Sequence, residues 1–170
     1  MQAMGWRARH TMAMVGIGVV GIGAVVLGGI GAAPASATTM VPLSNYIRNC
    51  DFEQGLFLDG MGSGSGNGFA HIGSDGSQVS AQVTMQSAWP DTDYRVRLIQ
   101  MPRSPVATCS VGNPGVSGGL LHTDASGTAT ITVSGPAMDG ATEAWVVVEG
   151  PPAPGRIRSD VYSSDFLVKI

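Results

Sequence analysis

This sequence predicts an all-β fold, an antiparallel sandwich of about seven strands with no substantial helix. Three observations carry that expectation. Residues 78–86 and 128–134 alternate apolar and polar side chains strictly, the period-two pattern of a strand with one face in a core and the other in water. Clusters of Asp, Gly, Ser and Pro punctuate the chain at intervals of roughly 8–12 residues, the spacing of short strands in a sandwich. No amphipathic helical pattern of about twelve residues occurs anywhere.

The first segment stands apart from the fold. Residues 1–10 carry Arg7 and Arg9 and no acid, and residues 11–33 are uncharged and rich in Gly, Val, Ile and Ala. Ala35-Ser36-Ala37 then offers small residues at the −3 and −1 positions. This is the layout of a secretory signal peptide spanning 1–37 and cleaved after Ala37. The apolar run is also long enough to span a bilayer, so an uncleaved anchor is the rival reading. The glycines and the Ala-x-Ala site argue against it. Residues 38–170 are then one secreted domain.

In chain order, residues 38–49 hold Val41, Leu43, Tyr46 and Ile47, a first strand that Pro42 places at an edge. Between about 59 and 77, Gly60, Gly62, Gly64, Gly66 and Gly68 alternate with small or polar residues, which predicts a flexible loop, a disordered or plain connection in preference to a ligand lid. Residues 78–86 form the clearest strand. Val79, Ala81, Val83 and Met85 fall on one face, and Gln78, Ser80, Gln82, Thr84 and Gln86 on the other. A turn over 88–94 leads into 94–101, where Tyr94, Val96 and Leu98 alternate with Arg95 and Arg97. Residues 102–119 form a second loop, containing Cys109. Residues 120–123, the turn Asp124-Ala125-Ser126-Gly127 and residues 128–134 read as a hairpin, because Asp caps such turns and Gly accepts positive φ. Residues 144–148, Ala-Trp-Val-Val-Val, are apolar at every position and predict a strand covered on both faces. Gly150-Pro151-Pro152-Ala153-Pro154-Gly155 is a stiff connection. Residues 159–170 give a last strand, with Tyr162, Phe166, Val168 and Ile170 in one parity.

Charge narrows the partners. Loss of Arg7 and Arg9 from a total of 9 basic residues leaves 7 against 12 acidic ones. A mildly acidic domain is not built for nucleic acid or for an anionic membrane, both of which demand a basic face. The two cysteines, Cys50 and Cys109, pair most simply as a disulfide in an exported protein. Neither sits in a metal-binding spacing, and no metal or other cofactor is expected.

The stretch Ala88-Trp89-Pro90-Asp91-Thr92-Asp93-Tyr94-Arg95-Val96-Arg97-Leu98 resembles the tyrosine corner of fibronectin type III and related sandwiches. The resemblance implies an immunoglobulin-like sandwich in which Pro90 and Tyr94 build the corner and the Tyr94 hydroxyl ties the inter-sheet connection to the backbone. In that family the tyrosine strand is the penultimate one, whereas here several strands' length follows Tyr94. The chain as a whole is similar to small secreted β-sandwich proteins of actinobacteria that carry no assigned activity.

Candidate chemistry is sparse. Arg95 and Arg97 lie on the outer face of their strand, solvated or forming a patch for an anionic ligand. Trp89, before a proline at a strand end, is the better of two tryptophans for stacking on a sugar ring, because Trp145 sits in the most apolar strand and belongs to the core. His71, with Asp75 four residues on, would serve as a mobile base, and His122 with Asp124 offers two metal ligands, too few for a site. Asp91 and Asp93 flank Thr92 as turn formers or calcium oxygens. Glu53 and Glu143 are the candidate glycosidase acids, at unknown separation. Gly62-Ser63-Gly64-Ser65-Gly66 matches the nucleophile-elbow pattern only through its low complexity. The expectation is therefore a non-catalytic exported protein with a binding or structural role at the cell envelope or outside it, its partner an envelope glycan or another exported protein. A carbohydrate-binding module and a small secreted hydrolase are the runners-up.

Overall fold

A computed structural model of the chain describes residues 37–55, 62 and 64–170. Nearly all of the expected signal segment 1–37 and most of the stretch from 56 to 63 lie outside the described residues. The domain is all-β. Nine strands form one antiparallel sheet: β1 (Thr38–Ser44), β2 (Asn67–Ser74), β3 (Gln78–Gln86), β4 (Asp93–Met101), β5 (Val116–His122), β6 (Ala129–Pro136), β7 (Glu143–Pro152), β8 (Ser159–Ser164) and β9 (Val168–Lys169). Their order is β5-β4-β7-β8-β1-β2-β3-β6, with β9 continuing beside β7.

The sheet has two four-stranded halves. Only Leu43↔Ser164 and Ser44↔Ser163 join β1 to β8. At the other end β5 and β6 come together without a ladder among the described residues. Ser117 Oγ fills the place a Gly135 side chain would take, and Ile131 reaches over Gly119. The sheet thus curls almost into a barrel, open along that seam.

The main core fills the curl. Val79, Ala81, Val83 and Met85 of β3, Tyr94, Val96 and Leu98 of β4, and Ala144, Val146 and Val148 of β7 point into it and are essentially water-free. The opposite parity of β7 does not reach water either. Trp145 and Val147 pack with Ile99, Met101, Val116 and Val161 in a second cluster on the outside of the sheet. Residues 45–55 and the β4–β5 loop cover it. Phe52 sets its ring edge-on to Trp145 at 5.4 Å, and the Cys50–Cys109 disulfide, Cα–Cα 5.6 Å, ties the two covering segments together. Phe52 holds φ at 72°, a backbone region that bulky residues avoid. Burial of its ring and the Arg48 guanidinium stacked 4.0 Å above it offset that strain.

Four sequence expectations need correction. The described residues form nine strands, not about seven. The stretch 59–77 is not one loop, since Asn67–Ser74 is β2, paired along its length with β3. Its glycines are spatial requirements: a side chain at Gly68 would strike Met85 Sδ at 2.6 Å and the Thr84 carbonyl at 2.7 Å. The 120–134 stretch reverses direction as expected but makes no hairpin. β5 pairs with β4 and β6 with β3, so the Asp124 turn carries the chain from one half to the other. The expected single strand over 159–170 divides at a bend, which leaves Phe166 exposed.

Candidate binding groove

The cover over the second cluster stops partway along β4. Beyond it the outer face of β5, β4 and β7 is open, and two adjoining hollows of about 470 and 510 Å³ lie there. Arg95, Leu120 and Glu149 line both. The register explains the meeting, because Arg95 stands opposite Leu120 on β5 and opposite Glu149 on β7.

The sequence placed Arg95 and Arg97 on one outer face, and the structure separates their roles. Arg97 is engaged: Nη2 donates to Glu149 Oε2 at 2.9 Å and Nη1 to the Cys109 carbonyl at 3.1 Å. It fastens the disulfide loop to the sheet. Arg95 is exposed and makes no hydrogen bond or ion pair among the described residues. Its neighbour Leu120 is 60% exposed, large for an aliphatic side chain. One wall is Ser110 and Val111 of the β4–β5 loop. That loop is held internally, since Arg103 Nη1 and Nη2 donate to the carbonyls of Pro114 (2.7 Å) and Thr108 (2.9 Å), and Asn113 Oδ1 accepts from Thr108 Oγ1 (2.8 Å) and the Ser110 N–H (3.0 Å). Gly118 leaves the space that Val111 enters, 2.6 Å from where its Cβ would stand. The opposite end is bounded by Asp93, Gly150, Pro151 and Ser159.

His122 pairs across the strands with Asp93, Nδ1 to Oδ1 2.7 Å, not with Asp124. Asp124 is a turn cap: Oδ1 accepts from Ser126 Oγ (2.6 Å), the Ser126 N–H (2.8 Å) and the Thr128 N–H (3.0 Å). These donors, the Ser126 hydroxyl first, hold its carboxyl below the usual range. Asp75 is built alike, with the Gln78 N–H the leading cause of its lowered pKa. It too is a turn cap, and His71 meets Phe69 edge-on at 5.6 Å on the outer face of the other half. The two histidines therefore do not converge. Among the described residues no three His, Cys, Asp or Glu side chains gather as metal ligands, and no helix is long and apolar enough to cross a membrane.

Pro90 and Tyr94 sit at the connection between the halves. Tyr94 Oη accepts from the Trp89 N–H at 3.1 Å and donates to Asp160 Oδ2 at 2.7 Å. Thr123 Oγ1 donates to the Trp89 carbonyl at 2.6 Å and accepts from the Thr92 N–H at 3.0 Å. Trp89 is thereby fixed by its backbone while the residue stays 36% exposed, beside a hollow of about 290 Å³ shared with Pro90, Thr92 and residues 151–154.

Asp160 has no local sequence signal. It is fully buried, and Tyr162 Oη donates to the same Oδ2 at 3.1 Å. The Gly66 N–H donates in turn to Tyr162 Oη at 2.9 Å. Gly64 lies so close that Asp160 Oδ1 occupies the place of its Cβ. Burial raises the Asp160 carboxyl above the usual range, against the two hydroxyl donors that lower it, and burial likewise raises both tyrosine hydroxyls. These bonds tie β4, β8 and the Gly-rich segment together, and among the described residues no polar contact meets Asp160 Oδ1.

Comparison with protein-family models, with curated proteins and with solved structures yields no match.

Proposed function

We propose that this chain is an exported, non-catalytic binding module of immunoglobulin-like layout, and that its ligand surface is the groove around Arg95. Arg95 carries the reading. It is a guanidinium with five donors and no protein partner among the described residues, at the junction of two hollows and beside an exposed leucine. Such a group takes a carboxylate or a phosphate. The disulfide supports export, because such bonds persist in oxidising compartments. The order β1-β2-β3-β6 in one half and β5-β4-β7-β8 in the other supports the immunoglobulin-like layout, with β5 lying beside β4. The binding role is tested by co-sedimentation of the oxidised protein with cell envelope from its own source. Saturable pelleting that Arg95→Ala abolishes and Gln82→Ala leaves intact is expected. Pelleting indifferent to Arg95 overturns the reading.

A further inference from the structure

Resting on that reading, we infer that the groove takes an extended, hydroxyl-rich chain with widely spaced acidic groups, an acid-bearing glycan, seated with one acid at Arg95 and a ring against Trp89. The hollows line up. Pro151 borders both the Asp93 end of the groove and the Trp89 hollow, so one surface runs from Val111 past Arg95 to Trp89. From Arg97 to Asp93 alone the strand covers about 14 Å, at roughly 3.4 Å per residue. That is far longer than a single small anion.

The lining decides between ligand classes. Beside Arg95, the one cation of the lining without a partner among the described residues, stand the carboxylates of Glu149, paired with Arg97, and Asp93, paired with His122, with Ser110 and Ser159 near the two ends. Carboxylates accept from hydroxyl groups and repel a ligand charged at every unit. A chain with an acid only at intervals matches that alternation, whereas a poly-acidic peptide finds one open cation at Arg95 and, on either side, a carboxylate whose basic partner is already engaged. The partly exposed Trp89, its backbone anchored by Tyr94 and Thr123 and its ring beside prolines, offers a flat apolar face on which a sugar ring rests, with only two side-chain torsions to order.

Hyaluronan tetrasaccharide, with an acid on every second ring, is the probe, titrated calorimetrically against the oxidised full-length secreted protein. Glucuronate and neutral chitotetraose are the controls. The tetrasaccharide should bind at least tenfold more tightly than either control. Trp89→Ala should lower that affinity at least fivefold with no effect on glucuronate, and Trp89→Phe should restore most of it. Arg95→Ala should lower the affinity for both acidic ligands at least tenfold. If the tetrasaccharide binds no better than glucuronate, or if Trp89→Ala changes nothing while Arg95→Ala does, the extended-glycan inference falls and the groove stands. If poly-glutamate binds as tightly through the same two residues, the glycan class is wrong. If Arg95→Ala is silent throughout, the groove reading falls as well.

Discussion

The two outer faces of the domain are made by strands of similar length, yet one is bare and the other is covered. On the bare face β3 presents Gln78, Gln82 and Gln86, and β6 presents Thr130 and Thr132, all exposed. A hydroxyl contact between Thr84 and Thr130, 3.0 Å, is typical of what links them. On the covered face β7 presents Trp145 and Val147, and β4 presents Ile99 and Met101, which water disfavours. The chain meets that demand with residues 45–55 and the Cys109 loop. The difference teaches where the groove comes from. A face that needs no cover has no walls. A face that is covered only as far as Arg97 has a wall where the cover ends, and the groove lies against it.

The contrast can be broken from the covered side first. Trp145→Ala should cost about 3–5 kcal/mol, the range for deleting a buried tryptophan, measured by urea unfolding. Removal of the disulfide by Cys50→Ala with Cys109→Ala should cost about 2–4 kcal/mol, given the 59 positions it spans. Because Ser110 and Val111 follow Cys109 directly, that variant should also lose tetrasaccharide binding under conditions where it remains folded. On the bare face, Gln82→Ala or Thr132→Ala should stay within about 0.5 kcal/mol of the parent. A comparable loss there would remove the distinction.

The pH dependence sharpens the comparison of buried and exposed carboxylates. Asp160 has a folded pKa above its unfolded value of about 3.9, so the folded state holds the proton more tightly. Its stabilising contribution is complete below that unfolded value and is lost as pH rises through the folded pKa. Asp75 and Asp124 have folded pKa values below it, so their contribution is present above about 3.9 and is lost as pH falls through the folded values. Urea midpoints from pH 3 to 8 should therefore show Asp160→Asn, which keeps an acceptor for both tyrosines, removing a decline on the alkaline side. Asp124→Asn should flatten the acid side instead.

Much of the covered and uncovered pattern was legible in the sequence. β3 has the bounds that its alternation marked, and the all-apolar centre of β7 is covered on both faces as its composition required. β2 is not legible locally because Gly68 and Gly73 stand where neighbouring chain leaves no room for a side chain, and glycine reads locally as loop. The Asp75 and Asp124 turns have the same capping chemistry, yet the first joins a paired hairpin and the second joins two unpaired strands. Turn residues encode the reversal. Which strand lies alongside is decided by distant partners. The two arginines show the same limit: parity put both on one face, while the engagement of Arg97 and the freedom of Arg95 follow from the register of β4 on β7, a pairing of residues 52 positions apart for Arg97 and Glu149.

The most direct test of the groove is an NMR titration of the oxidised protein with glucuronate, following backbone amides on both outer faces. The account predicts saturable shifts confined to the neighbourhood of Arg95, Leu120 and Glu149, and their loss in Arg95→Ala. Shifts centred on Gln82, Thr84 and Thr132 of the bare face, or shifts that persist unchanged in Arg95→Ala, would contradict it.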